Sequence, residues 1–309
     1  MDVLSDAIAA VRLGQPSSSR LFTRERDWCT RLAPYSGAGF HIVLRGSCRL
    51  LPDQGDPVTL GTGDAVLLPH GTGHLLADRA TDTPATTRAI PFEQWRAAQP
   101  NETDSGAGGF EVLCGTYRLD RRGQHPLVAE LPTVIHLPDR IGDHRELRAV
   151  IDLLALEADK RSPGSCIAVP SLLDLLLVYM IRAWMRDNDA GLWSAALTDP
   201  VTATALRALH SAPAAPWTTD SLAAETGVSR ATLTRRFAGL VGRPPMGYLT
   251  WWRLTRAAAL LRDTTDPLPT IAEQVGYANP YAFSHAFKKQ FGTSPGRYRN
   301  DREPSAVDR

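Results

Sequence analysis

The sequence predicts an α+β chain: an N-terminal antiparallel β-barrel, linker helices behind it, and an all-α C-terminal part with two helix-turn-helix units. Three observations carry this. Short apolar runs separated by Gly, Pro and Asp recur at even spacing between residues 39 and 120, as in an antiparallel barrel or sandwich. Two stretches beyond residue 141 place apolar residues at helical spacing. A helix-turn-helix pattern then occurs twice in the last hundred residues or so.

The barrel strands are expected in "FHIVLRGSCRLL", "PVTLGTGDAVLLP", "GHLLAD" and "FEVLCGTYRL", with "AAQPNETDSGAGG" (residues 97–109) as a flexible loop. The helices are expected in "DHRELRAVIDLLALEADKR", with Leu147, Val150, Ile151, Leu154 and Leu156, and in "SLLDLLLVYMIRAWMRD", with Leu172, Leu173, Leu176, Leu177, Met180, Ile181 and Trp184. The second is apolar over more than one face. One face suits the barrel and another a second copy of the chain; a single intramolecular helical layer is the plainer alternative. "APAAP", residues 212–216, suggests a short stiff spacer.

Placing "SLAAETGVSRATLTRRF" over "TIAEQVGYANPYAFSHAF" exposes the repeat. Leu222 falls on Ile271, Ala223 on Ala272 and Gly227 on Gly276; after one extra residue, Leu233 falls on Phe283 and Phe237 on Phe287. Each unit reads as helix, glycine turn, helix. Ser229 and Asn279–Pro280 suit the start of the second helix in each unit, and Thr270 with Glu273 suggests a capping box on the second unit's first helix. "PMGYLTWWRLTRAAALLRD" between the units has the spacing of a long connecting helix.

In a helix-turn-helix the second helix enters the major groove, and two such helices on one connector suit two successive groove segments of a duplex. Helical spacing puts Ala231, Thr234 and Arg235 on one face of the first, opposite Leu233 and Phe237. In the second, Tyr281, Ser284 and His285 point outward, and Phe283 and Phe287 inward. Arg235 can pair bidentately with a guanine edge. Arg230, Arg236, Arg243, Lys288, Lys289, Arg297 and Arg299 are expected on phosphates. Charge agrees. Residues 1–200 hold 20 Lys+Arg against 25 Asp+Glu, whereas residues 201–309 hold 14 against 8, so the basic end is the one that suits a polyanion.

The remaining composition narrows the class. With 309 residues and 43% apolar content, two domains with real cores are expected. "MDVLSDAIAAVRLG" does not read as a signal peptide. The run "VPSLLDLLLVYMIRAWM" is broken by Asp174 and Arg182 and is expected to be too short for a bilayer, so a cytoplasmic protein without a membrane partner follows. Cys29, Cys48, Cys114 and Cys166 are widely separated and form no CxxC pair, so neither a disulfide framework nor a zinc-finger pattern is indicated.

Residues 200–300 resemble the DNA-binding domain of the AraC/XylS family of bacterial transcription regulators. The likeness lies in "IAEQVGYANPYAFSHAFKKQFGTSPGRYR", with its "A..VGY", "F...FK..FG" and closing "P..YR". It puts the family's base-contacting positions on Ala231, Thr234 and Arg235, and on Pro280, Tyr281 and His285. Ala231 and Pro280 offer no hydrogen bond to a base, so specificity leans on Arg235, Tyr281 and His285, or on DNA shape.

"GDAVLLPHGTGH", residues 63–74, fits the second cupin motif, G-x5-P-x-G-x2-H. Residues 20–140 resemble the cupin sensor domains of such regulators, and through "FHIVLRGSC" and "CGTYRL" the subgroup that includes reactive-chlorine-sensing activators. The resemblance makes His74 a metal ligand in metal cupins. The preceding motif supplies only His41, and a site needs three or four ligands, so a metal requires Cys114 as well. Strand alternation is expected to turn Cys48 away from His41. Three readings of Cys114 stay open: buried hydrophobe, oxidant sensor or metal ligand.

The expected organisation is a sensor domain at 1–140, a helical dimerisation region at 141–197 and a DNA-binding domain at 198–302. The expected function is a non-enzymatic transcription regulator, an activator by resemblance. Its partners are double-stranded promoter DNA, a second copy and RNA polymerase. Its signal is either a small molecule lined by Phe40, His41 and His74, or an oxidant acting at Cys114; no cofactor is required. The competing reading is a metal-dependent cupin enzyme fused to a DNA-binding domain.

Overall fold

The computed structural model describes residues 2–79, 89–98, 109–119, 125–159, 162–188 and 191–300. The chain divides into two compact units. A barrel unit comprises Arg12–Arg121 and Leu131–Asn188; a helical unit comprises Met1–Val11, Arg122–Glu130 and Asp189–Arg309.

The barrel unit holds β1 (Ser17–Thr23), β2 (Cys29–Leu32), β3 (Gly37–Arg45), β4 (Cys48–Pro52), β5 (Val58–Leu60), β6 (Ala65–Leu68), β7 (His74–Asp78), β8 (Ile90–Pro91), β9 (Phe110–Arg118) and β10 (Ile135–Leu137). They form two five-stranded sheets, ordered β1-β9-β3-β6-β10 and β5-β4-β7-β2-β8. Pairing is antiparallel except for β8, which runs parallel to β2. Val43, Val66, Val112 and Cys114 of the first sheet meet Cys48, Leu50, Leu60 and Leu76 of the second in one apolar core. Residues 97–98 of the expected loop close a helix, α2 (Phe92–Ala98); its residues 99–108 lie outside the described residues.

Two expectations fail here on strand parity. Cys48 does not turn away from His41: it shares the barrel core with Cys114. The register shifts between Val43 and Arg45, and β4 lies in the other sheet, so alternation counted along β3 does not carry through the turn. Phe40 does not line the interior. Its neighbour His41 points inward, so Phe40 takes the outer face, where its ring packs 5.5 Å from that of Tyr117. The Tyr117 hydroxyl donates to the Leu173 carbonyl at 2.7 Å.

Leu173 lies on α5 (Ser165–Asp187), which packs with α4 (Arg145–Asp159). α5 runs 23 residues, so it is not too short to span a bilayer, as the sequence suggested. Its Leu173, Leu176, Leu177, Met180 and Ile181 are buried in the unit, and Asp174 pairs with Arg12. Ile167 and Leu175 on α5, and Leu153 and Leu156 on α4, are exposed.

The helical unit contains α1 (Val3–Val11), α3 (Pro126–Glu130), α6 (Leu192–Thr198), α7 (Pro200–Ser211), α8 (Thr219–Thr226), α9 (Arg230–Val241), α10 (Pro245–Asp263), α11 (Leu268–Gln274), α12 (Pro280–Phe291) and α13 (Pro295–Asn300). The connector α10 spans 19 residues, about 28 Å at 1.5 Å per residue. "APAAP" does not act as a spacer. Arg253 of α10 donates to the carbonyls of Pro213 and Ala215, clamping the segment within the unit.

A buried polar chain ties α1 and α3 into this unit. His125 Nδ1 accepts the Leu127 N–H at 3.1 Å, so its Nε2–H donates to the Tyr248 hydroxyl at 3.1 Å. Tyr248 donates in turn to His210 Nε2 at 2.7 Å, and His210 Nδ1–H to the Asp6 carboxylate at 3.1 Å. Burial, with His210 and Arg243 nearby, lowers the His125 pKa well below the usual value and keeps that ring neutral. His210 stacks on Trp252 at 4.2 Å.

Candidate nucleic-acid interface and sensor cavity

The two repeated units fold alike because equivalent residues have equivalent tasks. Leu222 and Ile271, Leu233 and Phe283, and Phe237 and Phe287 are fully buried. The turn glycines have positive φ, 67° at Gly227 and 84° at Gly276. At Gly276 a Cβ would also sit 2.8 Å from the Ala214 Cα. Ser229 Oγ accepts the Thr232 N–H at 3.2 Å to cap α9, and Asn279 Oδ1 accepts the Tyr281 N–H at 2.8 Å to cap α12, each cap contributing about 1 kcal/mol. The capping box expected at Thr270 and Glu273 is absent. α11 starts earlier, behind Pro267, and places Thr270 inside the helix. A capping box forms instead in the first unit, between Thr218 and Ser221.

Burying one face of each second helix leaves the other to solvent. On α9, Ala231 and Arg235 are exposed and Thr234 half-buried. On α12, Tyr281 is 86% exposed, His285 is exposed, and Pro280 and Ser284 are half-buried. A large aromatic ring this bare at the N-terminal end of a helix has no packing role within the unit.

The basic residues divide. Lys288 and Lys289 are exposed in the last turn of α12, where they also complement the helix dipole. Arg297 is exposed on α13. Arg243 stands over the Trp251 ring at 5.5 Å. Arg230 lies 3.7 Å from Asp220, and Arg236 lies 3.5 Å from Asp199. Burial opposes charge on Asp199, but hydrogen bonds from Thr202 and the Arg236 charge outweigh it and hold that carboxyl below its usual range. Arg299 is half-buried and donates to the Asp266 carbonyl, so it braces the loop before α11.

The barrel unit holds a cavity of about 140 Å3. A cavity near 150 Å3 holds a benzene molecule. Ser19, Leu32, Phe92 and Arg96 line it, together with three residues from the sequence expectations: His41, His74 and Cys114. His41 faces Cys114 directly in the β3–β9 register. Gly115, next along β9, admits the Phe40 ring by having no side chain: a Cβ there would sit 2.3 Å from that ring and 2.5 Å from the Ser17 carbonyl oxygen.

Hydrogen-bond directions in this cluster follow from one fixed acceptor. The Thr72 carbonyl lies 3.1 Å from His74 Nδ1, so that nitrogen carries hydrogen. Burial lowers the His74 pKa, so its Nε2 is bare and accepts from His41 Nε2–H at 2.8 Å. Burial, and then the His74 charge, lowers the His41 pKa well below the usual value, so His41 Nδ1 accepts from the Cys114 thiol at 2.9 Å. Burial pushes the Cys114 thiol pKa well above its ordinary value and that of Cys48 up to about 12.

The set does not fit a metal. His41 spends one ring nitrogen on His74 and the other, divergent one on Cys114, so the three donors lie along a chain and not around a point. Among the described residues, no group of three His, Cys, Asp or Glu side chains is arranged to hold an ion.

Comparison with known proteins agrees with both halves. A family model described as Cupin matches residues 2–186, and one described as Helix-turn-helix domain matches residues 222–301. The chain is 32% identical over 303 residues to a putative AraC-like transcription regulator of Streptomyces lividans, spanning 97% of this chain and 98% of that protein. It is 31% identical over 309 residues to the HTH-type transcriptional regulator AlkR of Acinetobacter baylyi, spanning 97% and 99%. To RclR of Escherichia coli, named an RCS-specific HTH-type transcriptional activator, it is 27% identical over 262 residues, spanning 84% and 83%. The protein belongs to the AraC-like family of DNA-binding transcription regulators, with a cupin domain ahead of its helix-turn-helix domain.

Proposed function

We propose that this regulator is switched by a small organic molecule bound in the barrel cavity, and that it activates transcription as a cytoplasmic homodimer acting on RNA polymerase. The observation that carries the signal is the cavity itself, large enough for a single ring and lined by the Cys114–His41–His74 chain. Sensing by a free thiolate is disfavoured, because burial holds the proton on Cys114. The name of RclR motivates the activator reading. Exposed Leu153, Leu156, Ile167 and Leu175 on α4 and α5 motivate the pairing surface. In this reading, sensing lies in the 1–140 region, pairing in 141–197 and DNA binding in 198–302, although residues 1–11, 122–130 and 189–197 fold with the helical unit, and no enzymatic activity is present.

On DNA, Arg235, Tyr281 and His285 read base edges, with Thr234 and Ser284 beside them and Ala231 and Pro280 allowing close approach. Lys288, Lys289, Arg297, Arg243, Arg230 and Arg236 hold phosphates.

The test is affinity for the chain's own upstream intergenic DNA, fully reduced and after mild hypochlorite, with thiols counted in both states. Unchanged affinity despite thiol loss supports the ligand reading. A large change that persists in Cys166→Ser and vanishes in Cys114→Ser makes Cys114 an oxidant sensor instead. Stoichiometric Fe, Zn or Mn in the purified protein would revive the enzyme reading.

A further inference from the structure

The cavity borders more than a hydrogen-bonded cluster. A nucleophile, a base and a group that orients the base stand in line: Cys114 donates to His41, His41 donates to His74, and His74 is pinned by the Thr72 carbonyl. Pure packing does not require this order, because a barrel interior fills more cheaply with apolar side chains. All three side chains also line the space a small molecule would occupy. The cavity has a permanently charged side chain too: Arg96, which donates to Ser19 Oγ at 3.3 Å and suits a carbonyl oxygen.

We propose that Cys114 captures a small electrophile of the α,β-unsaturated carbonyl class held in the barrel cavity, with His41 as the base, so that the signal is a covalent adduct. This rests on the reading that the cavity is the signal site. The step balances without an oxidant. The thiol proton passes to His41 Nδ1, a bond forms between Sγ and the β-carbon, and the C=C electron pair moves to give an enolate. His41 then returns the proton to the α-carbon. The product is a thioether, nothing is oxidised, and the reverse elimination resets the protein. Burial keeps the resting pair as thiol and neutral imidazole, so selectivity comes from residence in the cavity and not from a standing thiolate.

The experiment uses the full chain carrying Cys166→Ser, which removes the exposed thiol. Cyclohex-2-en-1-one is the probe, and adducts are located by intact mass and peptide mapping. Expected are a single adduct on Cys114, a rate that saturates with enone concentration, and protection by unreactive cyclohexanone. His41→Gln is expected to slow the adduct about 100-fold or more. If that variant fails to fold, saturation and protection in the unaltered cavity still decide. Cyclohexanone binding without any enone adduct on Cys114 would overturn the covalent inference and leave the cavity reading standing. An adduct forming without saturation or protection would overturn both. An adduct rate unchanged in folded His41→Gln would remove His41 as the base and overturn the proposed mechanism.

Discussion

The Tyr248 hydroxyl stands 2.7 Å from His210 Nε2 and bridges it to His125, on a helix-linking chain that ends at Asp6. Three segments far apart in sequence meet at this one oxygen, and His210 links a fourth through Asp6. Tyr248→Phe strands two buried imidazole groups and is expected to cost about 2–4 kcal/mol, one to two unsatisfied groups' worth. Urea denaturation followed by tryptophan fluorescence reads this, since Trp252 stacks on His210. A loss below 1 kcal/mol or so would mean that water replaces the hydroxyl.

Buried neutral histidines make stability depend on pH. The folded pKa values of His41, His74 and His125 are lowered from 6.5, so the unfolded chain binds more protons below that pH. Stability is therefore fully present above about pH 6.5 and is lost as pH falls from there, by up to about 1.4 kcal/mol per pH unit for each histidine. Denaturation midpoints at pH 7.5 and 5.5 check the sign. A midpoint that stays level or rises at pH 5.5 contradicts the assignment of these rings as neutral.

Close approach makes Gly115 a packing position. Gly115→Ala drives a methyl into the Phe40 ring and the Ser17 carbonyl and is expected to destabilise the barrel unit by about 1–3 kcal/mol. A thermal melt no lower than the wild type's would mean that β1 and Phe40 yield freely.

Base and phosphate contacts separate by their effect on random DNA. Arg235→Ala is expected to cost about 1–3 kcal/mol on the native site and to relax one base pair. Lys288→Ala is expected to weaken native and random duplexes alike and to lower the salt slope by about 1. Equal losses on both duplexes for Arg235→Ala would make it a phosphate contact.

The helical unit was largely legible because it repeats. One copy checks the other: the aligned pairs Leu222 and Ile271, Ala223 and Ala272, Leu233 and Phe283, and Phe237 and Phe287 are all buried. Proline obscured the start of α11, since Pro267 and Pro269 carry no capping side chain to recognise. The barrel was half legible. Runs with apolar alternation gave strands, but β1 begins "SSSRLFT", whose serines line a cavity and so break the pattern. Phe40 and Cys48 were misplaced because β3 is buried on both faces and ends in a register shift, where counting parity fails. The joining of α1, α3 and α10 through Asp6, His125, His210 and Tyr248 has no local signal, because its members are separated by up to 242 positions.

Two recognition helices on one stiff connector are the central claim, and fluorescence anisotropy against the chain's own upstream DNA tests it most directly. The full chain should prefer that duplex to a shuffled one by about 10³ or more. Inserting five base pairs between the two contacted segments turns one by about half a helical turn and should remove most of that preference. Equal affinity for native and shuffled duplexes, or indifference to the insertion, would contradict paired reading by α9 and α12.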